Sequence, residues 1–141
     1  MTDDFVPKVS ASDMVREFHE VFGHPVADEP GLIPDERAWL RYDLIAEELS
    51  ELFDAILTKD MVAIADALAD LEYVVHGAAI EWGIPLEDAT REAHRSNLTK
   101  LGADGKPIYR ESDNKVLKGP NFEEPDFEGV LISAGWQNDG T

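Results

Sequence analysis

"MVAIADALADLEYVVHGAAIEW", residues 61–82, decides the fold. On a helical wheel it is apolar almost all the way round, the pattern of a helix buried at the centre of a helical core. Asp66 and Asp70 interrupt it, one turn apart on one face, with Ala63, Ala67, Tyr73, Val74 and Gly77 as angular neighbours. Small residues there let another helix approach closely. A buried ionised aspartate costs several kcal/mol unless it is paired or bound to metal. Three answers are open: a cation held by both, an Asp–Arg pair with Arg37, Arg41 or Arg91, or one aspartate protonated.

Helix signals extend in both directions from this segment. Gly83 stops it, and Pro85 opens a further helix to about Leu101, with Gly102 as its stop. Upstream, the central helix starts near Lys59 or Asp60. Pro34 suits the first position of a helix that runs to about Leu57, so the two should pack antiparallel across a short connection. A first helix spans about Ser12 to Phe22, with Val15, Phe18 and Phe22 at helical spacing and Gly23 and Pro25 ending it. Beyond Gly102 the pattern changes. Pro107–Arg110 and Lys115–Leu117 read as short extended runs around "ESDN", a hairpin or clasp, and a last short helix begins at Pro125. The expected architecture is all-α and a single domain over 1–141. It has a four-helix-bundle-type core over about 12–102 and an irregular, hairpin-containing extension over about 103–141.

The second helix carries its own acids in "EELSELFDAI", residues 47–56. Ile45, Leu49, Leu52, Phe53 and Ile56 form its main apolar stripe, while Glu47, Glu51 and Asp54 gather opposite. Glu48 points along the flank of the stripe, between Leu44 and Leu52. Glu51 follows Glu48 at i+3, so the two can converge on one point, at a cost in like-charge repulsion that a divalent cation would remove. Across an antiparallel pair, Glu48 and Glu51 can face Asp66 and Asp70. Such an all-oxygen set suits Mg²⁺, with Mn²⁺ as a substitute, better than zinc. The Glu-x-x-His pattern of di-iron bundles is absent. Asp54 reads as a solvated residue.

Net charge is −18, which repels nucleic-acid phosphate and argues against general DNA or RNA binding. The charge is uneven. Residues 91–118 hold seven of the twelve basic residues against four acids. That segment either neutralises the acidic body or handles phosphate beside a metal. Asn97 and Lys100 share a helix face, and Lys115 and Lys118 flank the second extended run; all four are candidates to contact phosphate. Phe18, His19, Phe22 and Tyr73 are candidates to line a base, with core packing the competing role for the phenylalanines. No Walker-type loop or dinucleotide fingerprint occurs. There are no cysteines, no apolar run long enough for a membrane span and no signal-peptide pattern, so a cytoplasmic protein is expected.

The series "EExxE", "ADLxYV", then "HRSNLTK…DGKPIYR…KVLKGPNF" resembles the MazG-like, all-α nucleoside triphosphate pyrophosphohydrolases. That superfamily includes dUTPase-like members and phosphoribosyl-ATP pyrophosphohydrolase. The likeness covers about Phe18 to Phe127. It implies Mg²⁺-dependent cleavage of a nucleoside triphosphate between the α and β phosphates, releasing the monophosphate and pyrophosphate. By resemblance, Glu48 and Glu51 stand at the metal-binding Glu-x-x-Glu and Asp70 at the aspartate of Glu-x-x-Asp. Glu47 stands near the metals, where it would orient or deprotonate the attacking water. Asn97 and Lys100 match phosphate-contacting positions. The family's glutamate three before the aspartate falls here on Ala67, and Asp66 is expected to take its role. The competing reading is a metal-stabilised nucleotide-binding or helical interaction module without chemistry. An apolar central helix also predicts a homo-oligomer, dimer or tetramer.

Overall fold

The computed structural model describes residues 9–139. The first eight residues, in the N-terminal stretch read for a signal sequence, lie outside the described residues, as do the last two of "WQNDGT". The described chain is mostly helical. Its helices are α1 (Ala11–Phe22), α2 (Asp35–Thr58), α3 (Met61–Trp82), α4 (Leu86–Leu98) and α5 (Phe127–Ser133), with strands β1 (Ile108–Tyr109) and β2 (Val116–Leu117) between α4 and α5. It divides into two compact units, the second running Pro85–Trp136. The four helices expected in one bundle are therefore shared between the units, α1–α3 in the first and α4 in the second.

In the first unit α3 packs against both α1 and α2. Ser10 caps α1: its hydroxyl accepts from the Asp13 amide, and the Asp13 carboxylate accepts from the Ser10 amide. This cap starts the helix one residue before the expected Ser12. Lys59, in the left-handed region at φ 51°, ends α2, and Asp60 caps α3 by accepting from the Ala63 amide. That tight reversal makes α2 and α3 an antiparallel hairpin. Gly83 ends α3 at φ 68°. No other residue fits there, because a Cβ would also collide with the Glu29 carbonyl. The loop before α2 is tied to the end of α3 by Ala27 N–H to Ile80 O, 3.0 Å, and Gly31 N–H to Trp82 O, 3.1 Å.

The α2 face turned to α3 differs from the expected stripe. Leu49, Phe53 and Ile56 are 57%, 64% and 57% exposed. Fully buried on α2 are Arg41 and Ala55, and on α3 Ala67, Gly77, Ala79 and Glu81. Arg41 touches Glu81, and Ala55 and Ala67 each lie fourteen residues from that contact along their own helix. The fully buried positions are thus small residues and members of a charge group, while Ile45 and Leu52 of the expected stripe are half-buried. Close approach requires small side chains, so Leu49, Phe53 and Ile56 are rotated outward.

In the second unit α4 stops three residues short of the expected Leu101. The Thr99 hydroxyl accepts from the Glu123 amide at 2.9 Å, and the Gly119 amide donates to Lys100 O at 2.9 Å. These bonds pull the chain out of the helix. The expected hairpin is present: Ile108 pairs with Leu117 and Tyr109 with Val116, antiparallel. α5 begins after Asp126, whose carboxylate accepts from the Gly129 amide.

Candidate metal centre

Glu48 and Glu51 from α2 and Asp70 from α3 each bring a carboxylate oxygen within 4.8 Å of the other two. Helix geometry explains the meeting. Glu48 and Glu51 project from adjacent turns of α2, and Asp70 lies opposite on the antiparallel partner. Glu48 and Asp70 are half-buried, and Glu51 is exposed. Glu48 Oε2 is buried and has no hydrogen-bond partner. Burial pushes the Glu48 carboxyl above its ordinary range, and the negative charges of Glu51, Asp70 and Glu47 add to the effect. An orphaned oxygen among like charges is what a bound cation would satisfy, and the donors are all hard oxygens, as Mg²⁺ or Mn²⁺ requires.

None of the arginines weighed as partners for the aspartates serves that purpose. Arg37 and Arg41 both bind Glu81, and Arg91 binds Asp88. Asp66 is not brought to the group either. It is exposed, while Ala67 beside it is fully buried. The expectation that Asp66 replaces the family glutamate is corrected on this point: at that turn the α3 surface inside the core carries a methyl group, and Asp66 is rotated past it to solvent. Glu47 is exposed next to Glu48 and lies outside the three-oxygen group.

His19, expected to contact substrate, is 2% exposed. Its Nδ1 lies 2.9 Å from Pro25 O and its Nε2 3.5 Å from Arg41 Nη2. Burial lowers its pKa, the Pro25 carbonyl opposes this, and Arg41 and His24 lower it further. A neutral imidazole that donates from Nδ1 and accepts at Nε2 meets both contacts. His19 is therefore a packing residue with both nitrogens engaged. Tyr73, one turn beyond Asp70, is partly exposed and edge-on to Phe18 at 5.7 Å between ring centroids. With Met14, Glu72 and His76 it helps line a cavity of about 200 Å³ between α1 and α3.

Asn97, Lys100, Lys115 and Lys118 all belong to the second unit. Asn97, Lys115 and Lys118 are exposed, and Lys100 is half-buried. Lys118 reaches Glu124 at 3.4 Å and lies over the Phe122 ring at 4.5 Å. The sharpest electrostatics of this unit is at Glu92. Hydrogen bonds from Arg95, then from the Asp126 amide, hold its carboxyl down at about 2.

Glu81 was missed by sequence reasoning. It is fully buried and takes Arg37 Nε at 2.8 Å on Oε1 and Arg37 Nη2 at 2.9 Å on Oε2, where Arg41 Nε also binds. The signal was available, because eleven residues is three helical turns, so Glu81 shares a face with Asp70.

The fold is all-α, and Glu48, Glu51 and Asp70 from its antiparallel helices form a carboxylate group of the kind that could hold a metal ion. The comparisons narrow this. Residues 15–97 match the phosphoribosyl-ATP pyrophosphohydrolase family, and the chain belongs to it. The family is named for a hydrolase that acts on a phosphoanhydride bond. An uncharacterized protein of Acanthamoeba polyphaga mimivirus is 33% identical over 110 residues, which cover 72% of this chain. The match spans 40% of that relative's length. A solved structure from Exiguobacterium sp. 255-15, proposed to be an NTP pyrophosphohydrolase, is 28% identical, covers 89% of this chain and 96% of its own, and has a TM-score of 0.49. Among the described residues, no helix is long and apolar enough to cross a membrane.

Proposed function

We propose that the protein hydrolyses a nucleoside or deoxynucleoside triphosphate between its α and β phosphates, giving the monophosphate and pyrophosphate, with a divalent cation at Glu48, Glu51 and Asp70. Substrates of the dUTP or dCTP type, removed as a house-cleaning step, are the class the family resemblance favours. The observation that carries the reading is the buried, partnerless Glu48 Oε2 beside two further carboxylates. A bound Mg²⁺ would supply charge for the phosphates and polarise the attacking water. Glu47, exposed and adjacent, accepts the proton of that water. The resemblance makes Asn97 and Lys100, and the charge pattern Lys115 and Lys118, the candidates to donate to phosphate oxygens; Tyr73 is the candidate to meet the base. The test is pyrophosphate release from a panel of nucleoside triphosphates and diphosphates, with and without Mg²⁺ or Mn²⁺. Full activity retained in both Glu48→Gln and Asp70→Asn would end this reading.

Ala67 favours a second reading. It is buried where the resemblance places a fourth carboxylate, which leaves three carboxylates in the group among the described residues. A nucleotide-binding module without chemistry would show ligand protection but no product in the same assay.

The proposal includes a homo-oligomer. Leu49, Phe53, Ile56, Leu57, Met61 and Val62 are each more than half exposed along α2 and the start of α3. Such an apolar face is of the kind that a second copy covers in obligate dimers. Light scattering tests it: a monomeric mass, or a wild-type mass retained by Phe53→Glu with Leu57→Glu, would contradict it.

A further inference from the structure

We infer that Arg37, Arg41 and Glu81 are positioning residues that set the register of α2 against α3, and that Gly77 makes room for them. The inference rests on the reading of Glu48, Glu51 and Asp70 as a cation site.

Three carboxylates on two helices meet at one point in one register only. A slip of one residue moves a helix by about 1.5 Å. Metal–oxygen distances tolerate about 0.2 Å. Something on the seam must therefore select the register. The carboxylates themselves do not, because without a cation they repel. Ala55, Ala67 and Gly77 do not either: small side chains permit close approach but present a smooth surface. The charge group is different. Arg37 and Arg41, one turn apart on α2, both bind the single Glu81 carboxylate, Arg37 through two nitrogens. Among the described residues, no other side-chain hydrogen bond joins α2 to α3. Donors from successive turns of α2 converge on one carboxylate of α3, so sliding one helix along the other strains or breaks a charge-assisted bond.

The clamp is also held from behind. Arg41 Nη2 lies 3.5 Å from His19 Nε2 and 3.5 Å from His24 Nδ1, so α1 and the following loop hold its guanidinium. Gly77 faces it: a Cβ there would lie 2.6 Å from Arg41 Nη1 and 3.2 Å from His19 Nε2. Arg41 and Glu48 are seven residues apart, two turns of one helix. The clamp therefore acts on the site through a rigid element and touches none of its atoms.

Gly77→Ala tests this with every charge kept, because the added methyl displaces the Arg41 guanidinium while alanine favours the helix. Arg37→Gln is the companion, since Arg37 is partly exposed and its loss leaves Glu81 paired with Arg41. Mn²⁺ alone and Mg²⁺ alone are titrated by calorimetry into wild type and both variants, with helicity followed by circular dichroism. We expect wild-type helicity, a 10- to 100-fold weaker cation affinity of the size seen when outer-shell partners are lost, and an assay in which the cation requirement rises while KM for nucleotide at saturating cation is unchanged. Arg37→Lys keeps one donor and should recover part of the affinity. Wild-type affinity in a folded Gly77→Ala would overturn the inference; should that variant not fold, wild-type affinity in Arg37→Gln would do so. A wild-type chain that binds neither cation would overturn the cation-site reading and this inference with it.

Discussion

Two charged groups lie on the α2/α3 seam and face opposite outcomes. At one end, Glu81 is buried with two arginines around it. Burial works against its charge, but hydrogen bonds from Arg37 and Arg41 outweigh burial and hold its carboxyl below the ordinary value. Two turns along α2, Glu48 is met by Glu51 and Asp70, and burial with like charges pushes its carboxyl the other way. Glu81 is fully buried on α3 and Glu48 half-buried on α2, but the decisive contrast is the sign of the partner charges. The compensated group can be complete within the fold, whereas the uncompensated group has one oxygen without a partner and calls for a positive charge from outside. Buried charge is thus informative about function when its partner is missing.

The largest effect should come from breaking the compensated group. Arg41→Ala leaves Glu81 buried with only Arg37 beside it, and should cost about 3–5 kcal/mol of stability in urea unfolding. The same kind of deletion in the uncompensated group should do the reverse. Glu48→Gln or Asp70→Asn should reduce turnover at least about 100-fold, roughly 2.7 kcal/mol of barrier, while metal-free stability at pH 7 stays level or rises. Wild-type protein at a hundred times its cation Kd should gain about 2.7 kcal/mol from binding, and these variants should lose that gain in thermal unfolding.

The pH responses sharpen the contrast. Glu48 is raised in the folded state above its ordinary 4.5. The folded protein therefore binds more protons than the unfolded chain there, and metal-free stability falls as pH rises from about 4.5 through the raised value. The difference between wild type and Glu48→Gln across that range isolates the effect, and saturating Mg²⁺ should remove it. His19 behaves oppositely. Its lowered value means that stability is lost as pH falls below its ordinary 6.5. The smallest effect belongs to Glu92 in the second unit, an ion pair in contact with solvent. Its carboxyl, held at about 2, contributes above 4.5, and that contribution fades as acid approaches the lower value. Faster amide exchange at Asp126 in Glu92→Gln would report it.

Most of the helical framework was legible from local signals. Gly23, Asp60 and Gly83 mark helix ends because caps and left-handed turns depend on a few neighbouring residues. That Glu48, Glu51 and Asp70 come together was also legible, from the wheel and then from the resemblance, since carboxylates among apolar residues are costly wherever they occur. Asp66 misled the same reasoning. Forty degrees of rotation separates it from Asp70 on the wheel, and the wheel has no way to say which of two neighbouring directions the partner helix covers. The apolar stripe of α2 misled it too, because apolar side chains were assigned to the nearest helix, while the structure gives that place to Ala55 and Arg41.

What the chain's sequence determined alone is therefore periodic and local: where helices start and stop, that α3 is central, and that acids sit where acids are expensive. The tertiary structure decided rotation and register. It chose Ala67 over Asp66, turned Leu49, Phe53 and Ile56 outward, buried His19, and joined Arg37 and Arg41 to Glu81 rather than to an aspartate. The reason is physical. Helix periodicity is set by bonds between residues four apart, but the facing of two helices is set by which side chains from distant segments can fit together, and that fit exists only once both helices are in place.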